Sequence, residues 1–109
     1  MKLTKKEIRA VEEFKQRIMK RFPDEVLEVL VYGSKARGDA REDSDIDLLV
    51  VTRSEDRKLM KEIRHSGYEL EFENGIILSI QVFSENYIDY IRSIATQFIR
   101  NVDQEGIRI

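Results

Sequence analysis

Two carboxylates in the stretch DSDIDLLVV have the types and the spacing that metal-dependent chemistry needs. Asp45 and Asp47 lie two residues apart at the start of an apolar run, so on a strand their side chains point to the same side. At a Cα separation of about 6.6 Å, their charges repel by roughly 2 to 3 kcal/mol at an effective dielectric of about 20. Mg²⁺ takes one or two carboxylates and completes its shell with water and phosphate oxygens, so the pair favours Mg²⁺ over zinc. Alone, the same letters also fit a charged turn that leads into a strand.

A Gly-Ser pair is the second candidate element. Gly33 and Ser34 follow the run EVLEVLVY, whose β-branched and leucine residues predict a buried strand ending in a tight turn. A glycine permits close approach to the backbone, a following helical turn exposes unpaired amides to an anion, and the Ser34 hydroxyl adds a donor. The GxxxxGK[ST] pattern is absent, which excludes the ATPases and GTPases built on that motif.

The composition narrows the classes of function. The 109 residues suit a single domain over 1–109, and the lack of cysteine excludes disulfides, thiolate metal sites and cysteine nucleophiles. A net charge of −2 and a pI of about 5.5 argue against non-specific nucleic-acid binding. The charged start and the lack of a segment of membrane-spanning length predict a cytoplasmic protein that does not bind membranes.

Hydrophobic periodicity predicts an α/β (α+β) fold in which helices flank a mixed sheet, in the order α-β-β-α-β-α. Thr4 and Glu7 read as a capping box for the first helix, which Pro23 ends. The remaining predicted elements are strands at 26–32, 45–52 and 76–83, a helix from Ser54 to near Asn74, and a last helix from Ser84 through Phe98. The polar segment KARGDAREDS forms a short helical turn and a loop, and the tail EGIRI is either a short edge strand or a loose end.

Taken together, GSKARGDAREDSDIDLLVV resembles the signature of the DNA polymerase beta superfamily of nucleotidyltransferases, in which a Gly-Ser turn precedes an Asp-x-Asp strand. The chain is most similar to the minimal nucleotidyltransferases, the MntA-like antitoxins that are often paired with a HEPN-domain protein. By this resemblance, Gly33 and Ser34 hold a nucleoside triphosphate, and Asp45 and Asp47 are the catalytic residues and the ligands of Mg²⁺.

Other residues of the signature receive secondary roles from the resemblance. Arg37 and Gly38 fall on the ARG stretch among the nucleotide-binding residues; Gly38 serves the turn, and Arg37 either contacts phosphate or anchors the loop. Lys35 is expected to be an exposed turn lysine. Outside the signature, we expect the only histidine, His65, at the surface, and Tyr87 and Tyr90 in core or interface packing.

The sequence departs from the superfamily at a third carboxylate. Catalytic members commonly supply it from a neighbouring strand, but the predicted third strand carries Ser79 and Gln81 on the relevant face. If that strand instead begins near Tyr68, its acidic residues line one face and supply the missing group: Glu69, Glu71 and Glu73.

Two functions remain open. The first is transfer of a nucleoside monophosphate from ATP or another nucleoside triphosphate to an acceptor hydroxyl, by likeness on a HEPN-domain partner in an antitoxin role. The alternative is a non-catalytic nucleotide-binding or partner-binding module that regulates its partner by contact. The sequence also leaves open whether the chain is a monomer or a homodimer.

Overall fold

A computed structural model describes residues 1–41 and 44–109; residues 42 and 43 of the predicted loop lie outside the described part. The elements, in chain order, are α1 (Lys5–Arg21), β1 (Val26–Tyr32), α2 (Gly33–Arg37), β2 (Ile46–Thr52), α3 (Arg57–Asn74), β3 (Leu78–Ser84), α4 (Glu85–Ser93), α5 (Gln97–Glu105) and β4 (Ile107–Arg108). The predicted α/β class with a mixed sheet is confirmed.

The four strands form one sheet in the order β3-β2-β1-β4. β1 pairs antiparallel with β2 and with β4, whereas β2 and β3 are parallel. The tail EGIRI therefore supplies the edge strand that was one of its two predicted forms. β2 lies inside the sheet between β3 and β1, as its apolar residues predicted. The residues at its start therefore have a neighbouring strand on each side.

Helices cover both faces of the sheet. The larger apolar cluster joins α1 and α3 to one face and includes Phe14, Ile18, Ile63 and Leu48, each fully buried. A smaller cluster joins α4 and α5 to the other face and includes Leu49 of β2. Within the described residues, no helix is long and apolar enough to cross a membrane.

The predicted last helix is two helices. Ala95 adopts a φ of 53°, and Thr96 begins α5 by accepting a hydrogen bond from the Ile99 amide. The prediction of one continuous helix from Ser84 through Phe98 is therefore wrong, and Tyr87 and Ile94 are 42% and 55% exposed. The i, i+3, i+4 spacing continued through the break and concealed it.

The start of α3 also differs from the prediction. Asp56 caps the helix by accepting from the Lys58 and Leu59 amides, whereas Ser54 donates its hydroxyl hydrogen to Glu25 Oε2 at 2.7 Å. Because the Glu25 carboxylate occupies Ser54, the cap passes to the next competent side chain. In contrast, the Thr4–Glu7 capping box of α1 is formed as predicted.

Candidate functional site

Asp47 lies near the start of β2, beside the last residue of β1. In the strand register it faces Tyr32 of antiparallel β1 and Ser79 of parallel β3. Asp45 immediately precedes β2 and is exposed, whereas Asp47 is partly buried. The two carboxylates of the Asp-x-Asp motif therefore occupy different environments.

The Gly-Ser turn meets the Asp-x-Asp motif directly. Gly33 has a φ of 74°, and a Cβ atom added to it would lie 2.3 Å from Asp47 Oδ2. Only glycine leaves room for that carboxylate and tolerates this left-handed backbone conformation at little cost. The structure thus brings together Gly33 and Asp47, two of the residues singled out from the sequence.

α2 is the short helical turn predicted after Ser34. It begins directly after β1, and within the described chain its N-cap, Tyr32, makes no side-chain capping hydrogen bond. The first amides of a helix have no intrahelical acceptor, so those of α2 are suited to an anion. Gly38 ends the helix with a φ of 86°, and its N–H donates to the Ser34 carbonyl oxygen at 2.9 Å.

The electrostatics of the two motifs follow from burial and neighbouring charge. Burial raises the pKa of Asp47, the charge of Asp45 raises it further, and the nearby Arg37 guanidinium partly opposes both effects. Burial together with the Asp47 charge raises the pKa of Tyr32 to about 12. An ionised Asp47 is therefore incompletely compensated by protein groups, and a bound cation would compensate it.

Arg37 connects the α2 turn to the C-terminal helix. Its guanidinium donates to Asp39 Oδ2 at 3.1 Å and to Glu105 Oε2 at 2.6 Å. Glu105 of α5 also acts on Asp47, since its charge is among the causes that raise the pKa of that carboxyl. Glu105 was not predicted as part of the site, because no sequence pattern relates the end of α5 to the distant Asp-x-Asp motif.

Lys35 is buried, so its prediction as an exposed turn lysine is wrong. Its side chain is 5% exposed, and Nζ lies 2.9 Å from Glu7 Oε2. Burial alone raises the pKa of Glu7, but the Thr4 amide and the Lys35 ammonium together hold it below its usual value. The Glu7 carboxylate thus caps α1 and anchors α2. No local sequence pattern indicates this pairing, because Glu7 and Lys35 lie on different helices.

Replacing Lys35 with methionine should destabilise the fold by about 3 kcal/mol, because it leaves the Glu7 charge buried without its partner. Chemical unfolding of both proteins measures the difference. Lys58→Met removes an exposed lysine of α3 and serves as the matched control, with an expected change close to zero. Equal stabilities of the two variants would show that the Glu7–Lys35 pair does not hold α2 in place.

The third strand supplies no acidic residue beside Asp47. Ser79 occupies the facing position, Gln81 is exposed, and the alternative strand start near Tyr68 is wrong because that segment belongs to α3. Glu71 nevertheless reaches the beginning of β3, where Oε1 accepts from the Leu78 amide at 2.8 Å. Across residues 1–41 and 44–109, no group of three or more histidine, cysteine, aspartate or glutamate side chains is placed to hold a metal ion.

The other residues singled out lie away from this site. His65 is exposed on α3, as predicted, and its Nε2 lies 3.3 Å from Glu69 Oε1. Tyr87 contacts Phe83 with ring centroids 4.8 Å apart, and Tyr90 lies next to Tyr87. Both tyrosines of α4 are largely exposed, so they are surface residues and not part of the core.

Relatives at the sequence level cover nearly the whole chain. A candidate protein adenylyltransferase from Methanocaldococcus jannaschii is 33% identical over 94% of this chain and 97% of its own. A second from the same organism is 29% identical over 92% of this chain and 94% of its own.

Solved structures share the fold. A candidate minimal nucleotidyltransferase is 35% identical over 92% of this chain and 90% of its own, with a TM-score of 0.53. A candidate nucleotidyltransferase from Sulfolobus solfataricus has a TM-score of 0.57 at 20% identity, covering 99% and 89% of the two chains. A toxin–antitoxin structure with AMP-PNP has a TM-score of 0.55 at 18% identity, covering 89% and 70%.

The sequence profile of the nucleotidyltransferase domain family matches residues 11–105, which include the Gly-Ser turn, the Asp-x-Asp motif and Glu105. This match and the near-complete coverage of the relatives establish that the chain belongs to the nucleotidyltransferase domain family.

Proposed function

We propose that this chain transfers a nucleoside monophosphate from ATP, or another nucleoside triphosphate, to an acceptor hydroxyl. The observation that carries the proposal is the close approach of the Gly33 backbone to the Asp47 carboxylate. This approach supports the proposal, because phosphoryl and nucleotidyl transfer require a phosphate-binding turn beside a metal ligand.

The acidic pair fits Mg²⁺ by the chemistry of its donors. Asp45 and Asp47 supply hard oxygen ligands. Burial and the Asp45 charge disfavour ionised Asp47 and raise its pKa, and a bound divalent cation would stabilise the ionised form. When bound, Mg²⁺ offsets negative charge on the phosphates and aligns them for in-line attack. The chain contributes the two carboxylates, and water and phosphate oxygens complete the coordination shell.

The remaining signature residues position the nucleotide in this proposal. The Ser34 hydroxyl and the first amides of α2 donate to phosphate oxygens, and Gly38 ends the turn. Arg37 lies near Asp47 and contacts both Asp39 and Glu105, so it anchors the loop and adds positive charge beside the phosphates. The acceptor oxygen bonds to the α-phosphorus, its proton passes to solvent water, and the bond to the leaving pyrophosphate breaks.

We further propose that the acceptor hydroxyl belongs to a partner protein, with a HEPN-domain protein as the candidate. The curated relatives named as candidate protein adenylyltransferases support a protein acceptor. The toxin–antitoxin structure that shares this fold supports a role in a two-protein system. Residues 1–109 act in this proposal as one minimal nucleotidyltransferase domain.

A second candidate is a non-catalytic module that binds nucleotide and regulates its partner by contact. It is favoured by Ser79, which faces Asp47 where an acidic residue would complete the site. Both candidates need nucleotide binding at Gly33 and Asp47, so transfer itself distinguishes them.

The distinguishing experiment follows radioactive label from ATP onto a co-purified or co-expressed partner in the presence of Mg²⁺. Label at the α-phosphate should become covalently attached to the partner, and label at the γ-phosphate should not, because pyrophosphate leaves. Attachment from neither position, in a complex that still binds ATP, would establish the non-catalytic module. Attachment from the γ-position would indicate phosphoryl transfer and contradict the proposal.

A further inference from the structure

Two adjoining cavities follow α3 toward Asp45. The first, of about 520 Å³, is lined by basic side chains that include Lys58, Lys61 and Arg64. The second, of about 330 Å³, is lined by Asp45 together with Glu71 and Ser79. Arg64 and Tyr68 line both cavities, so the two adjoin at these residues; together they are called the groove, and its second part reaches Asp45.

The end of the groove away from Asp45 is positively charged. Arg21 and His65 line it with Lys58 and Lys61, and Glu62 is the one acidic side chain in this lining. Lys58 and Lys61 are exposed, and neither forms an ion pair with any residue that the structure describes. An anionic ligand segment would therefore meet cations whose charge is still available.

The end of the groove beside Asp45 has a different character. Asp45 and Glu71 give it two carboxylates against one cation, Arg64, and two exposed apolar side chains line it: Tyr68 is 60% and Ile77 57% exposed. Apolar groups this exposed are typical of surfaces that bind other proteins. Glu71 is not a proposed metal ligand, so its carboxylate repels phosphate groups even when Asp45 holds a cation, and this end suits an uncharged hydroxyl-bearing side chain better than a nucleic-acid strand.

We propose that this groove binds an acidic segment of the acceptor protein, with its acidic residues beside Lys58 and Lys61 and its acceptor hydroxyl beside Asp45. The inference rests on the proposed transfer reaction and adds the route by which the acceptor reaches it. The acidic pI of about 5.5 supports a protein occupant, since binding a nucleic acid along the groove needs a broadly basic surface.

The test measures docking separately from transfer. Fluorescein-labelled short peptides carry one tyrosine flanked by glutamates, or by glutamines as the neutral match, and a short single-stranded RNA serves as the nucleic-acid probe. Fluorescence anisotropy with the intact chain should show preferential binding of the glutamate peptide. Lys58→Glu/Lys61→Glu should weaken that binding by about tenfold or more, because two attractions become repulsions.

The matched control is Lys6→Glu/Arg9→Glu, which reverses two exposed charges with the same spacing on α1 and should leave peptide binding unchanged. Tyr68→Ser, at a residue that lines both cavities, should also weaken binding, whereas Tyr90→Ser at a similarly exposed tyrosine of α4 should not. Equal binding by the Lys58/Lys61 variant and the control, binding of no peptide, or preferential binding of RNA would each overturn the proposal. A lack of label transfer despite selective peptide binding would instead refute the proposed reaction and leave the docking groove intact.

Discussion

Asp47→Asn is expected to lower the rate of the proposed nucleotidyl transfer by about a thousandfold, because it removes one of the two carboxylates proposed to hold the metal. The same change should raise the melting temperature of the metal-free protein at neutral pH. Burial and the Asp45 charge raise the pKa of Asp47 in the folded state, so its ionised form opposes folding. Thermal unfolding and label transfer on the same two proteins measure both effects.

The pH dependence of stability tests the direction of the effect expected for Asp47→Asn. For a carboxyl whose folded pKa is raised, stability is fully present below the unfolded pKa and is lost as pH rises through the folded pKa. The stability gap between Asp47→Asn and wild type should therefore close on acidification and widen toward neutral pH. Asp24→Asn, in an exposed turn, is the control and should show neither effect. A lower melting temperature for Asp47→Asn at neutral pH would contradict the assigned environment.

Gly33→Ala is the second change with a large expected effect. A Cβ atom at this position lies 2.3 Å from Asp47 Oδ2, and the φ of 74° is unfavourable for alanine, so the turn or the carboxylate must move. We expect a loss of about 2 kcal/mol in unfolding free energy and at least about a tenfold weaker affinity for ATP with Mg²⁺. Unfolding curves and calorimetric titration with a non-hydrolysable ATP analogue measure the two effects.

Gly75→Ala is the control that separates backbone strain from the clash. Gly75 has a φ of 69° at the end of α3, and no described atom lies within 4 Å of an added Cβ. This variant should lose stability of about 1 kcal/mol and keep its nucleotide affinity. If Gly33→Ala binds the analogue as tightly as Gly75→Ala does, the contact between Gly33 and Asp47 has no part in nucleotide binding.

The parts of the fold that local sequence determines were predictable. β1 and the strand core of β2 follow from continuous apolar runs, and the α1 cap follows from Thr4 and Glu7 at the capping-box spacing. The close approach of Gly33 to Asp47 was predictable only through the family resemblance, because it depends on the pairing of two strands. Apolar periodicity could not show the break at Ala95, since the spacing of apolar residues continued across it.

Contacts between distant segments account for what the sequence did not reveal. Lys35 is buried because Glu7, on another helix, neutralises it, and Arg37 contacts Glu105 near the other end of the chain. A charged residue in a polar loop has the same local sequence whether it is solvated or paired. The two cavities along α3 were not predicted either, because Arg21 and Asp45, from segments distant in the sequence, complete their linings.

The ion pair between Arg37 and Glu105 bears on the order in which substrate and metal arrive. Around the turn, the carboxylates of Asp39 and Glu105 both contact the Arg37 guanidinium, and Asp45 and Asp47 add two further carboxylates. A free polyphosphate would approach an acidic opening and be repelled, whereas the same nucleotide already complexed with a divalent cation would lose most of that repulsion. In the proposed reaction, the local charge would therefore favour entry of the metal–nucleotide complex over entry of the free nucleotide.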